Sequence, residues 1–191
     1  MTDWNNKEEV LEVVKKDGYV LKKASKALRD DKEIVMAAVK QNVDLFEYAS
    51  EELKGDRDFV LALLEQGGDG DLLSNGGVVW LFSEELKADR EVILAAAKCG
   101  FSELYIVSKE LRADREVVLA AINQNGHSLM YASERLRADR DIVLAAVGQT
   151  GNAFRYASEQ LRADRNVVLA AVKVNGMALR YASQDLKADW E

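Results

Sequence analysis

Apolar residues along this chain fall into short blocks that recur at a fixed distance. The clearest is the unbroken run Val117-Val118-Leu119-Ala120-Ala121-Ile122, which returns in closely similar form at 92–97, 142–147 and 167–172. An aspartate, a basic residue and usually an acidic one precede each block, as in Asp114-Arg115-Glu116, and Asn125-Gly126 follows it. A carboxylate at Asp114 accepts the free N–H groups of a first helical turn, and Glu116 adds charge of the sign that a helix N-terminus favours. Residues 115–124 are therefore expected to form a helix, with Asn125-Gly126 as its left-handed stop. Leu129, Ala132 and Leu136 stand at i, i+3 and i+7, which predicts a second helix from about Ser128 to Arg137. Helices of about ten residues do not hold alone in water, so they must stack. The all-apolar run places the first helix in an environment closed nearly all round.

The blocks define a repeat. Their opening aspartates are Asp31, Asp56, Asp89, Asp114, Asp139, Asp164 and Asp189, spaced by 25 residues except for one interval of 33, and one further step back reaches Asn6. Seven repeats follow: 6–30, 31–55, 56–88, 89–113, 114–138, 139–163 and 164–188, with a stub at 189–191. Such a period predicts an all-α solenoid of two-helix repeats, here one domain over 1–191, in which each repeat touches only its neighbours. Positions are counted from the opening aspartate as zero. Position 3 is Ile34, Phe59, Val92, Val117, Ile142 and Val167, and position 6 is alanine throughout repeats 2 to 7. Position 17 is aromatic or aliphatic in the same repeats: Tyr48, Leu81, Ile106, Tyr131, Tyr156 and Tyr181. In the first repeat these positions are Glu9, Glu12 and Lys23. The exchange marks the three positions as facing the preceding repeat and the first repeat as a polar cap. The seventh repeat keeps its apolar set, so either Trp190 folds over that last face, or the face meets another chain or a missing continuation.

Binding surfaces of repeat proteins lie where exposed positions diverge. Position 16 sits roughly 120° from the Leu–Ala–Leu face and carries Lys22, Glu47, Trp80, Tyr105, Met130, Arg155 and Arg180. Trp80, Tyr105 and Met130 in consecutive repeats, then Arg155 and Arg180, are the residue types that dominate protein interfaces. The bland alternative is isolated surface apolar residues, with Trp80 packed under a neighbouring insertion. That insertion, Gly67 to Ser74, reads as a loop, and its Asp69 and Asp71 lack the later ligands of a calcium loop. Positions 1 and 23 are basic in every repeat, yet adjacent carboxylates make a self-neutralised edge a better reading than a phosphate track.

Composition narrows the function classes. A net charge of −7 argues against a general nucleic-acid binder, and no apolar run is long enough to insert in a membrane. The polar, acidic N-terminus is unlike a signal peptide, giving a cytoplasmic expectation. With one cysteine, Cys99, and one histidine, His127, multi-histidine metal sites are out of reach, and no metal, cofactor or catalytic residue is expected. Cys99 and His127 as a nucleophile–base pair would lack any oxyanion donor or third group. Acidic residues recur once per repeat, as caps and solvated faces do.

The string YASERLRADRDIVLAAV, seen again as YASEQLRADRNVVLAAVKVNG, resembles the bacterial and protist repeat family known as domain of unknown function 4116. The resemblance covers nearly the whole chain and is weakest in the first repeat and the insertion. It implies a helical repeat protein, sometimes part of larger secreted or regulatory proteins, which leaves a secreted effector as the alternative location. It brings no catalytic residues. The expected function is a non-enzymatic scaffold that holds a protein partner along position 16. Alternatives are self-association through the C-terminal face, or a regulatory segment of a larger effector-like protein.

Overall fold

The computed structural model describes residues 2–66 and 77–188. All regular elements among them are helical, and the chain is an α-solenoid of stacked repeats. Its contacts group it into two parts, Met1–Phe101 and Ser102–Glu191, divided within the fourth repeat.

In the second part each repeat opens with a long helix, Arg115–Gln124, Arg140–Gln149 or Arg165–Val174. Asp114, Asp139 and Asp164 cap them as expected, each side chain accepting from two first-turn N–H groups. The first part has the same start at Lys32–Val39 and Arg90–Lys98, under Asp31 and Asp89. Position 3 is sealed: Phe59, Val117 and Val167 are 4%, 1% and 0% exposed. Glu9, Glu12 and Lys23, their counterparts in the first repeat, are exposed, with the Lys23 ammonium 5.6 Å from the Trp4 ring. Among the described residues, no helix is long and apolar enough to cross a membrane.

Three expectations are corrected. The second helix is not continuous. A six-residue 3-10 helix, Gly126–Tyr131, ends at Ala132, and a four-residue α-helix, Glu134–Arg137, begins after Ser133. Ala132 and Ser133 are extended, at ψ 154° and 156°. The same break recurs at Ala157-Ser158 and, in the first part, at Ala49-Ser50. The break serves stacking. The Ser133, Ser158 and Ser183 N–H groups donate to the Arg112, Arg137 and Arg162 carbonyls of the preceding repeat at 2.8–2.9 Å, and Ser50 does so to Arg29. A continuous helix would spend those donors internally. The serine hydroxyls also cap the short helices, as Ser50 Oγ does for the Leu53 N–H at 3.0 Å. Leu129, Ala132 and Leu136 are buried as the periodicity required, at 0%, 5% and 0%, although no single helix carries them.

Asn125-Gly126 is not a left-handed stop either. Asn125 is extended at φ −152°, and its side chain accepts from the His127 N–H. Gly126 is needed for space: a Cβ there would lie 2.5 Å from the Ala146 carbonyl of the next long helix. At Gly151 it would lie 2.8 Å from Asn175 Cβ and 3.0 Å from the Ala171 carbonyl. Among the described residues the left-handed stop occurs once, at Gly100 with φ 98°, where Gly100 N–H bonds Ala97 O and Phe101 N–H bonds Ala96 O in a Schellman ending.

Finally, the long helix is not closed all round. Leucines at position 5 (Leu61, Leu94, Leu119, Leu144, Leu169) and alanines at position 6 are half-exposed, while positions 3, 4 and 7 are buried. Position 6 therefore does not lie in the sealed contact with the preceding repeat.

The position-1 cations form the neutralised edge. Lys7 bridges Asp31 and Glu33 of the next repeat at 2.8 and 3.1 Å, and Arg57 pairs with Asp89 at 2.8 Å and with Glu91. Arg140 reaches Asp164 at 2.9 Å. Asp31, Asp89, Asp139 and Asp164 thus each hold two first-turn amides and a cation from behind. Lys32 and the Phe59 amide hold Asp56 below its ordinary pKa. Burial pushes Asp31 and Asp89 upward, but Lys7, Arg57 and the first-turn amides outweigh it and hold both below the usual carboxylate value.

Two outcomes follow. Gly126→Ala should cost about 1–3 kcal/mol by overpacking, whereas Gly148→Ala, on an exposed helical turn with nothing within 4 Å of the new Cβ, should gain up to about 1 kcal/mol. Urea titration followed by circular dichroism measures both, and equal effects would contradict the close-approach account. Because the folded pKa values of the caps lie below the unfolded ones, their stabilisation is present above the ordinary carboxylate range and is lost as pH falls through the folded values. Midpoints measured from about pH 5 down to about pH 2 should fall, and fall less in the Asp31→Asn, Asp56→Asn, Asp89→Asn triple variant.

Candidate interaction surface

The six-residue 3-10 helices position the candidate side chains. In Gly151–Tyr156 and Gly176–Tyr181, position 15 is the buried Phe154 and the half-buried Leu179, position 16 stands in solvent, and position 17 lies half-buried against the preceding repeat. Position 16 is exposed in all seven repeats, including Trp80 and Tyr105 at 57% and Met130 at 45%. Such exposure of large apolar side chains in one register is informative, where a scattered few would not be.

Trp80 belongs to the first part, on Val79–Leu81, and is open to solvent. The insertion with Asp69 and Asp71, and Trp190, lie outside the described residues. Tyr105, Met130, Arg155 and Arg180 belong to the second part, where the structure gathers them with residues that their own pattern did not single out. Tyr105 meets the Tyr131 ring at 5.3 Å. The Arg155 guanidinium lies 5.1 Å from the Tyr156 ring and 5.6 Å from that of Tyr181 in the next repeat. Arg180 lies 5.4 Å from the same Tyr181 ring. His127 sets its edge against Tyr156 at 6.2 Å.

Tyr131, Tyr156 and Tyr181 are thus platforms as well as packing residues. The Arg-Tyr pairs at 155–156 and 180–181 held the signal, since adjacent residues on a 3-10 turn bring a guanidinium onto the following ring. Among the described residues neither Arg155 nor Arg180 makes a hydrogen bond or ion pair, so the donor edges of both guanidiniums remain unspent. Position 23, read as part of a basic edge, is instead half-buried: Arg137 and Arg162 lie under the short helices of the following repeats, their carbonyls used by Ser158 and Ser183.

The chemistry outside this surface is sparse. Cys99 is buried, its thiol donates to the Leu64 carbonyl at 3.2 Å, and burial pushes its pKa upward, away from a reactive thiolate. Among the described residues, no three His, Cys, Asp or Glu side chains gather as metal ligands would.

The sequence profile described as Domain of unknown function (DUF4116) matches residues 6–54, 114–162 and 164–191. No curated protein and no solved structure matches the chain. The three matched segments follow the repeat boundaries and cover most of the sequence: the chain belongs to the DUF4116 family of helical repeats.

Proposed function

We propose that this protein is a non-enzymatic scaffold that holds a protein partner along its position-16 row. The observation that carries this reading is the ladder of the second part, where Tyr105, Met130, Arg155 and Arg180 stand exposed in one register on 3-10 turns. Tyrosine and arginine held on packed elements lose little conformational freedom on binding, which is why they concentrate interface energy. Trp80 adds an exposed anchor of the same kind in the first part. The buried Cys99 thiol supports a non-catalytic reading.

A second reading rests on the seventh repeat. Val174 and Met177 are 51% and 63% exposed, and a Cβ on Gly176 would meet nothing, while the matching glycines 126 and 151 are tightly covered. A second copy of the chain would close such a face.

Affinity purification with the intact chain, compared by quantitative mass spectrometry with the Trp80→Ala, Tyr105→Ala, Met130→Ala variant, tests the scaffold. Proteins retained by the wild type should fall at least about tenfold with the variant, equivalent to about 1.4 kcal/mol, at unchanged helical circular dichroism. Undiminished capture removes the assignment. For the second reading, sedimentation velocity should show a dimer that Val174→Lys with Met177→Lys converts to monomer; a monomer at every concentration dismisses it.

A further inference from the structure

The charge of the chain is not evenly spread. Residues 1–101 contain 21 acidic and 14 basic side chains and so carry the whole net −7, while residues 102–191 contain twelve of each. Within the second part many acids are committed. Asp139, Asp141 and Asp164 serve the position-1 cations, and Asp139 and Asp164 also cap helices. Cations are left in excess around a groove of about 390 Å³ between the short helices of the sixth and seventh repeats. Arg162, Arg180 and Lys187 line it against one carboxylate, Glu159, with Tyr181 and Ser183 between them. Arg155 stands beside it, sharing the Tyr181 ring with Arg180.

We propose that this ladder and groove bind an extended acidic peptide segment of a partner protein, with Arg155 and Arg180 each taking one carboxylate. The proposal rests on the scaffold reading and names the chemistry of its partner. Three features converge on it. Stacking on a ring fixes a guanidinium plane while leaving its N–H edge free, the arrangement that meets a carboxylate through two parallel hydrogen bonds. Both guanidinium carbons lie within 5.6 Å of the Tyr181 centroid, which limits their separation to about twice that distance. An extended chain advances about 3.3 Å per residue, so carboxylates two or three residues apart span such a gap. The groove then offers Lys187 to the next acidic residue, beside the Arg162–Glu159 pair at 4.0 Å. Nucleic acid fits less well, because the guanidiniums already occupy tyrosine faces on which bases would stack.

The test is fluorescence anisotropy of a fluorescein-labelled dodecapeptide of alternating glutamate and serine, titrated with the intact protein at low salt. Saturable binding is expected, at least tenfold weaker for Arg155→Gln with Arg180→Gln, whose side chains are exposed, so circular dichroism should not change. Arg155→Lys with Arg180→Lys should bind severalfold more weakly than wild type, since lysine keeps the charge but loses the planar fork. Lys109→Gln with Lys173→Gln, an equal loss of charge elsewhere in the second part, should stay within twofold of wild type. The proposal is overturned by absent binding, by equal losses in the two glutamine variants, or by an oligouridine of similar length binding more tightly than the peptide. None of these results alters the capture measured with the Trp80, Tyr105 and Met130 alanine variant, so the two readings fail separately.

Discussion

Stacking after the first, fifth and sixth repeats depends on a close approach that leaves no room for a side chain at position 12, where Gly18, Gly126 and Gly151 stand, whereas the second and fourth repeats carry Val43 and Phe101 there. Gly126 and Gly151 sit within van der Waals contact of the next long helix's carbonyls, and that contact brings position 3 of one repeat onto the buried face of the one before. The helices are about ten residues or shorter and have no independent stability, so the array holds only while this spacing holds. Polar devices then set the register. A serine N–H reaches back to the position-23 carbonyl, and a position-1 cation reaches forward to the next capping aspartate. Neither device is strong alone, but together they pin the junctions between the first three repeats and those between the last three on two sides.

The same geometry creates the candidate surface. Breaking the second helix at Ala-Ser turns its first half into a 3-10 segment, whose tighter winding stands position 16 in solvent directly beside the half-buried ring at position 17. A scaffold contact and a surface group thereby become neighbours. Arg155 rests on Tyr156 and on Tyr181 of the following repeat, so its placement depends on two repeats being in register. Stacking and recognition are coupled: whatever loosens a junction also disorders the guanidiniums above it.

Much of this architecture was legible in the sequence. The 25-residue period, the capping aspartates, the burial of position 3, the charged first repeat and the exposure of position 16 all follow from residue type and spacing, because each is a local or nearest-neighbour property. The family match agrees with the repeat boundaries. The misreadings share one origin. Leu129, Ala132 and Leu136 satisfy a helical period whether or not the backbone between them is helical, and Ser133 within that span is the N-cap of a separate short helix. Gly126 was given a conformational role where its role is steric.

Sequence alone therefore determined that position 3 is sealed, where the long helices are capped and which position varies in solvent, because hydrophobic spacing and capping chemistry act within one repeat. Tertiary structure alone decided where a backbone amide serves its own helix and where it serves a neighbour, which glycine makes way for another chain segment, and which arginine settles on which tyrosine. Those outcomes are set by distances between repeats, and residue order carries no measure of such distances until the repeats have packed.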